Sequence, residues 1–305
     1  MMLLDGKRVV VTGSTRGLGR AMALDLAANG ASVVVNGTSA EGVGAIEAEI
    51  VAAGGTAAGV VGSVADLAVC EALVAACVEH FGGIDLLVHN AGIVRDRTLV
   101  KMTAEEFDTV VAVHLRGAWG CAKFAAQQMV PAGKGHILNV TSGAGLFGAF
   151  GQSNYAAAKG GINGLTRALT VELAGSGVRV NALSPVAMTD MTQTVLDRVA
   201  ALSAASGVAV ELDPFPPAAD VAPLVTFLAS DAAGHLNGQI FEFDGRELAL
   251  WTHPDQVGHT ERDGPWSQAE FEAYFAANPP LQPLHPGRWG GGVRTSLAAA
   301  AGDAT

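Results

Sequence analysis

Along residues 8–243 of this chain, short β-branched runs alternate with Gly-rich turns and Ala/Leu-rich stretches, and no other feature restricts the fold as much. The runs are Arg8 to Thr12, Ser32 to Asn36, Ala57 to Val61, Ile84 to His89, His136 to Thr141, Val178 to Leu183 and Gln239 to Phe243. Strands joined by helix-length segments pair in parallel through right-handed crossovers, with helices covering both faces. The pattern therefore predicts an α/β protein built on a doubly wound parallel sheet of about seven strands. Such a sheet needs a large core, and half the residues being hydrophobic with only 15% charged supplies it.

The alternation sets the domain boundaries. Residues 1–245 read as one domain and 246–285 as an extension, in which Ser267-x-x-Glu270 caps a short helix. Phe271, Tyr274 and Phe275 share one face of that helix, which predicts docking. Residues 286–305, dominated by Gly and Ala, read as a flexible tail. Within the domain, Thr103-x-x-Glu106 is a second capping box. Residues 186–218 lack a strand period and end in Asp213-Pro-Phe-Pro-Pro217, the character of a substrate lid.

Several function classes are poor fits. Eighteen basic residues, scattered among 29 acidic ones, give a net charge of −11, so nucleic acid is not an expected partner. Cys70, Cys77 and Cys121 form no CxxC pair and the histidines show no HxxxH spacing, so neither a disulfide framework nor a metal site is expected. No apolar run approaches a membrane span, Met1 to Lys7 carries no leader pattern and the closing Ala-Gly-Asp-Ala-Thr is no peroxisomal signal. A cytoplasmic protein is expected.

Chemistry enters where the first run meets Thr12-Gly13-Ser14-Thr15-Arg16-Gly17-Leu18-Gly19 and then a helix. Glycines at 13, 17 and 19 let the backbone approach a pyrophosphate, and the helix start offers free amides. Asn90-Ala91-Gly92 follows the fourth run, Ser142 the fifth and Asn181 to Pro185 the sixth, while Tyr155-x-x-x-Lys159 lies thirteen residues past Ser142. In this order and spacing the chain resembles the short-chain dehydrogenase/reductase superfamily over residues 3–245, which implies a Rossmann-type fold and a nicotinamide cofactor.

Further residues follow from the resemblance. It implies Ser142, Tyr155 and Lys159 as catalytic residues. It adds Gly13, Thr15, Arg16, Gly17, Leu18, Gly19, Asn90, Ala91, Gly92, Pro185 and Thr189, with Tyr155 and Lys159, as cofactor-binding. Tyr155 and Lys159 are four apart and share a helix face, so an ammonium is expected to lower the phenol toward working pH for proton exchange. Val35-Asn36-Gly37-Thr38-Ser39 carries no acid to hold a ribose 2′-hydroxyl. With Arg16 nearby and hydroxyls at Thr38 and Ser39, NADP(H) is favoured over NAD(H). Gly62-Ser63-Val64 stands where the family often has an Asp, leaving Ser63 and Val64 against the adenine.

Where the family usually has an Asn in its long helix, this chain has His114, read either as a proton relay titrating near neutrality or as a structural histidine. His114-Leu115-Arg116-Gly117, Phe150 to Tyr155 and Met191-Thr192-Gln193-Thr194 are similar to the dehydrogenase unit of peroxisomal multifunctional β-oxidation enzymes and their bacterial relatives. That branch implies 3-hydroxyacyl-CoA and 3-oxoacyl-CoA as the reactants. Reduction of a hydroxysteroid or other hydrophobic ketone is the enzymatic alternative. A non-catalytic NADP(H)-binding sensor or scaffold is the alternative of another class. Phe147, Phe150 and Phe215 are candidates to line an apolar slot. Small residues along the Tyr155 helix, with the resemblance, imply a homodimer or homotetramer.

Overall fold

The structure is a computed structural model that describes residues 2–189, 192, 193, 196, 215–256, 259–261 and 263–278. Seven parallel strands stand where the β-branched runs place them: β1 (Arg8–Val11), β2 (Ser32–Gly37), β3 (Thr56–Val61), β4 (Leu86–His89), β5 (Gly135–Val140), β6 (Val178–Pro185) and β7 (Ile240–Phe243). Their order is β3-β2-β1-β4-β5-β6-β7, so the winding reverses between β1 and β4. An eighth strand, β8 (Leu248–Leu250), pairs antiparallel with β7 through Phe243↔Leu248. Three residues are too few to show a period of two, and all three are exposed, so the sequence pattern gives no sign of it. Asp244 shapes the connecting turn, its Oδ1 accepting the N–H groups of Arg246 and Glu247 at 2.7 and 2.6 Å.

Alternation of side chains splits the core in two. Val9, Val11, Val33 and Val35 face α1 (Gly17–Ala28), α2 (Ala40–Ala52) and α8 (Ala222–Ala229). Val10 and Val34 face α3 (Leu67–Phe81) and α5 (Gly117–Ala132). At roughly 25 cal/mol per Å² of buried apolar surface, these two layers are the main stabilising term. At the lower edge Arg8 Nε donates to Asp85 Oδ2 at 2.7 Å, fixing β1 beside the start of β4.

Two elements depart from regular geometry near the carboxyl ends of the strands. After α4 (Ala104–Val111), opened by the expected Thr103–Glu106 capping box, the helix widens into a π segment at Ala112–Arg116 before continuing as α5. Such a widening is frequent at functional sites. After β5, α6 (Ala144–Phe147) lies flat on α7 (Ser153–Glu172): a Cβ on Gly145 would fall 2.5 Å from the Lys159 carbonyl carbon.

In the extension, Ser267 and Glu270 close the expected capping box on α9 (Gln268–Ala277). The ring contacts of its aromatic face stay local: Phe271 stacks on Trp266 at 5.1 Å and Tyr274 meets Trp266 edge-on at 5.5 Å. Phe271 and Phe275 keep 47% and 57% of their surface exposed, so this face gathers on Trp266, where docking onto the domain was expected. Most of the expected lid, including Met191, and all of the expected tail at 286–305 lie outside the described residues. Among the described residues no helix is long and apolar enough to cross a membrane.

Candidate active site

A cleft of about 360 Å³ opens where the winding reverses, at the carboxyl ends of the strands, and it collects residues from β2, β5 and β6 and from the segments that follow β1, β3 and β4. Its near end is the Gly-rich loop. Gly13 adopts φ +62°, and a Cβ there would fall 2.7 Å from the Cα of Ala91, so only glycine lets the loop lie against Asn90-Ala91-Gly92. Gly19 is as tightly placed, a Cβ meeting Gly13 O at 2.2 Å. Thr12 Oγ1 accepts the N–H groups of Asn90 and Ala91, both at 3.0 Å, and Asn90 Nδ2 donates to Thr12 O and Gly13 O at 3.1 Å.

Asn36 completes the scaffold. Its Oδ1 accepts from Gly13 N at 3.2 Å and its Nδ2 donates to Val60 O and Gly62 O at 3.1 Å, tying the loop to β2 and β3. Sequence reasoning missed Thr12 and Asn36 as scaffold groups. A polar residue ending an otherwise apolar strand was the available signal. Arg16, at the start of α1, makes no side-chain cap, which leaves the first amides of that helix available to an anion.

The expected cofactor residues line the cleft, with Ser39 as the exception. Ser39 instead caps α2, its Oγ accepting from Gly42 N at 3.3 Å. Thr38 lines the cleft, and Gly37 is roofed by Thr15, whose Cγ2 stands 2.4 Å from where a Cβ would be. Ser63 and Val64 line the cleft beyond β3, and Pro185 and Thr189 line its far side at the end of β6.

Ser142, Tyr155 and Lys159 converge at that far end. Ser142 Oγ accepts from Ala144 N at 3.2 Å and hydrogen-bonds the Tyr155 phenol. Lys159 is almost wholly buried, and its Nζ donates to Val140 O at 2.6 Å and lies 5.6 Å from the Tyr155 ring centroid. The expected acidification of the phenol is not what the protein environment produces. Burial pushes Tyr155 up to about 12, against a lowering by the Ser142 hydrogen bond, and burial also lowers Lys159 to about 7. At this end of the cleft, desolvation is the largest influence on both groups.

His114 stands in the π segment, buried, with its ring edge-on to Tyr155 at 5.1 Å. Its Nε2 lies 2.8 Å from Ile93 O and 3.0 Å from Ile93 N, and its Nδ1 has no hydrogen-bond partner among the described residues. Burial first, then the charge of Lys159, holds the imidazole well below its usual 6.5, and with Nε2 against the Ile93 backbone this speaks for the structural of the two expected roles. His89, at the end of β4, holds the same segment, its Nε2 donating to His114 O at 3.1 Å.

The segment after β4 is internally tied. Gln152 Nε2 donates to Asp96 at 3.0 and 3.1 Å, and Arg97 Nε pairs with Glu106 Oε1 at 2.9 Å. The charges at 96 and 97 thus hold the loop to the rim of α4 and α7.

The family described as short chain dehydrogenase matches residues 7–200. A hydroxyacyl-CoA dehydrogenase of Mycobacterium tuberculosis, ChsB1, is 40% identical over 297 residues, covering 92% of each chain. A 3-oxoacyl-[acyl-carrier-protein] reductase of Synechocystis is 40% identical over 248 residues, covering 80% of this chain and 98% of its own. The crystal structure of a short chain dehydrogenase from Mycobacterium avium superposes with a TM-score of 0.79 at 37% identity, covering 90% of this chain and 95% of that one.

Proposed function

The chain belongs to the short-chain dehydrogenase family and is an NAD(P)-dependent oxidoreductase, and from that premise we propose that it interconverts a 3-hydroxyacyl and a 3-oxoacyl thioester, favouring NADP(H). The observation that carries the reading is the meeting of Ser142, Tyr155 and Lys159 at one end of a cleft whose other end is the uncapped start of α1. A bound nicotinamide cofactor supplies or accepts the hydride. The α1 amides and the glycine loop suit its pyrophosphate, and Arg16 and Thr38 suit a 2′-phosphate.

Tyr155, whose proton burial retains, donates it to the carbonyl oxygen in the reductive direction. Ser142 holds that oxygen, and Lys159 anchors the helix face below it while its own charge varies near neutrality. In the oxidative direction a protonated Lys159 favours the phenolate that must accept the proton. The thioester is favoured by the two named relatives and by the apolar Phe147 and Phe215 on the cleft wall. The alignment to the hydroxyacyl-CoA dehydrogenase leaves out fewer residues than 246–305 contain, so it also reaches into the extension. A non-catalytic sensor has no use for a proton donor so placed.

Steady-state assays with NADPH and NADH against acetoacetyl-CoA and a steroid ketone test the proposal. Turnover of acetoacetyl-CoA with NADPH is expected. Tyr155→Phe is expected to lose about 10²- to 10⁴-fold in kcat while NADPH still binds. Turnover of the steroid alone would reject the thioester, and near-normal turnover by the variant would reject Tyr155 as the acid.

A further inference from the structure

We propose that Trp251, just beyond β8 and outside every motif discussed above, is a positioning residue that sets substrate specificity by holding Phe147 as a wall of the cleft. The thioester reading supplies the reacting end of the substrate, while this inference concerns the apolar portion beyond it.

Phe147 is the last residue of α6, five residues after Ser142, and lines the cleft. A four-residue helix followed by Gly148 at φ +80° gives a ring little support of its own. The support comes from Trp251, whose ring meets Phe147 at 4.8 Å between centroids and 66° between planes, an edge contact of the favourable kind. Trp251 is itself fixed twice. Its backbone N donates to Ile240 O at 3.0 Å, and its Nε1 donates to Glu242 Oε2 at 3.1 Å. Both acceptors lie on β7, which is locked into the sheet through the pairing of Ile240 with Ala182. The indole therefore moves only with the sheet, and the Phe147 ring is braced against a rigid body. The extra strand β8 has a use in this arrangement, since it turns the chain back to deliver Trp251.

A wall of this kind favours an apolar chain or ring that packs along Phe147 and leaves the chemistry at Tyr155 to other residues. The test compares the unmodified protein, Trp251→Ala and Trp251→Phe on two matched pairs of ketones with NADPH. One pair is 3-oxobutanoyl-CoA and 3-oxodecanoyl-CoA, and the other is 2-butanone and 2-decanone. Loss of one aromatic pair predicts that Trp251→Ala lowers the long-to-short ratio of kcat/KM about three- to tenfold, with the change in the KM of the long substrate. Trp251→Phe keeps a ring against Phe147 and is expected to restore most of the ratio.

A ratio unmoved in both pairs, even with a lowered melting temperature, would overturn the inference and leave Trp251 as packing only. A shifted ratio with the free ketones and no turnover of either thioester would support it while rejecting the thioester reading. No turnover of any of the four by the unmodified protein would reject both.

Discussion

Burial decides the acid–base character of the far end of the cleft. Lys159, brought to about 7, is the group there that changes charge near neutrality, whereas His114 is held neutral and Tyr155 protonated. A kcat limb near pH 7 is therefore expected from Lys159. It should persist in His114→Asn and vanish in Lys159→Arg, whose guanidinium does not titrate. Overlaid pH–rate profiles check this, and a limb lost in His114→Asn would reinstate the imidazole as a titrating relay. His114→Leu removes the partner of the Ile93 backbone and should cost about 1–3 kcal/mol, read from denaturant unfolding. The sequence made Tyr155 and Lys159 legible as neighbours on one helix face. It did not show that Lys159 Nζ spends its hydrogen bond on Val140, because that contact depends on how deeply β5 and α7 pack.

Among the elements, the end of β2 governs which cofactor fits. Placing an acid there tests the phosphate argument, but Gly37 is a poor position because a Cβ would collide with Thr15. Thr38 lines the cleft without that restriction. Thr38→Asp is expected to weaken NADPH binding at least about tenfold and NADH binding much less, since a carboxylate beside a 2′-phosphate is a repulsive contact. Fluorescence titration of both nucleotides measures it, and an unmodified protein that prefers NADH would remove the basis of the prediction. Strands and helices of this size were legible from periodicity alone. The π segment answers instead to the family resemblance, which places a bulged helix turn at His114, and β8 was not legible because three residues carry no period. Ser39 shows the same limit at smaller scale. Its hydroxyl suits a phosphate or a helix cap equally well, and only the course of α2 decides for the cap.

For the whole molecule, three histidines buried as neutral rings link stability to acidity. Burial lowers His89 and His136 to about 3, and His114 also lies well below its usual value. Between about 3 and 6.5 the unfolded chain binds these protons and the folded one does not, so stability rises with pH across that window and is lost as pH falls through it. The slope should approach about 1.4 kcal/mol per pH unit for each histidine. Unfolding free energies at pH 7, 6 and 5 measure this, and His136→Phe is expected to remove one share of the slope. A curve flat from 7 to 5 would mean that these rings take up protons in the folded state. Composition and motif order had pointed to the fold class, but the burial of His89 and His136 inside strands was not visible in either.

The winding order that creates the cleft also sets a schedule for the chain as it leaves the ribosome. β1 can take β2 and β3 on one side as soon as they are made, but its other side waits for β4, and Arg8 waits 77 residues for Asp85. Until then Val9, Val10 and Val11 offer an open, apolar strand edge to any extended segment nearby. Nascent chains of about eighty residues are thus expected to carry this edge unpaired, and the same reversal that later receives the nucleotide is their point of vulnerability.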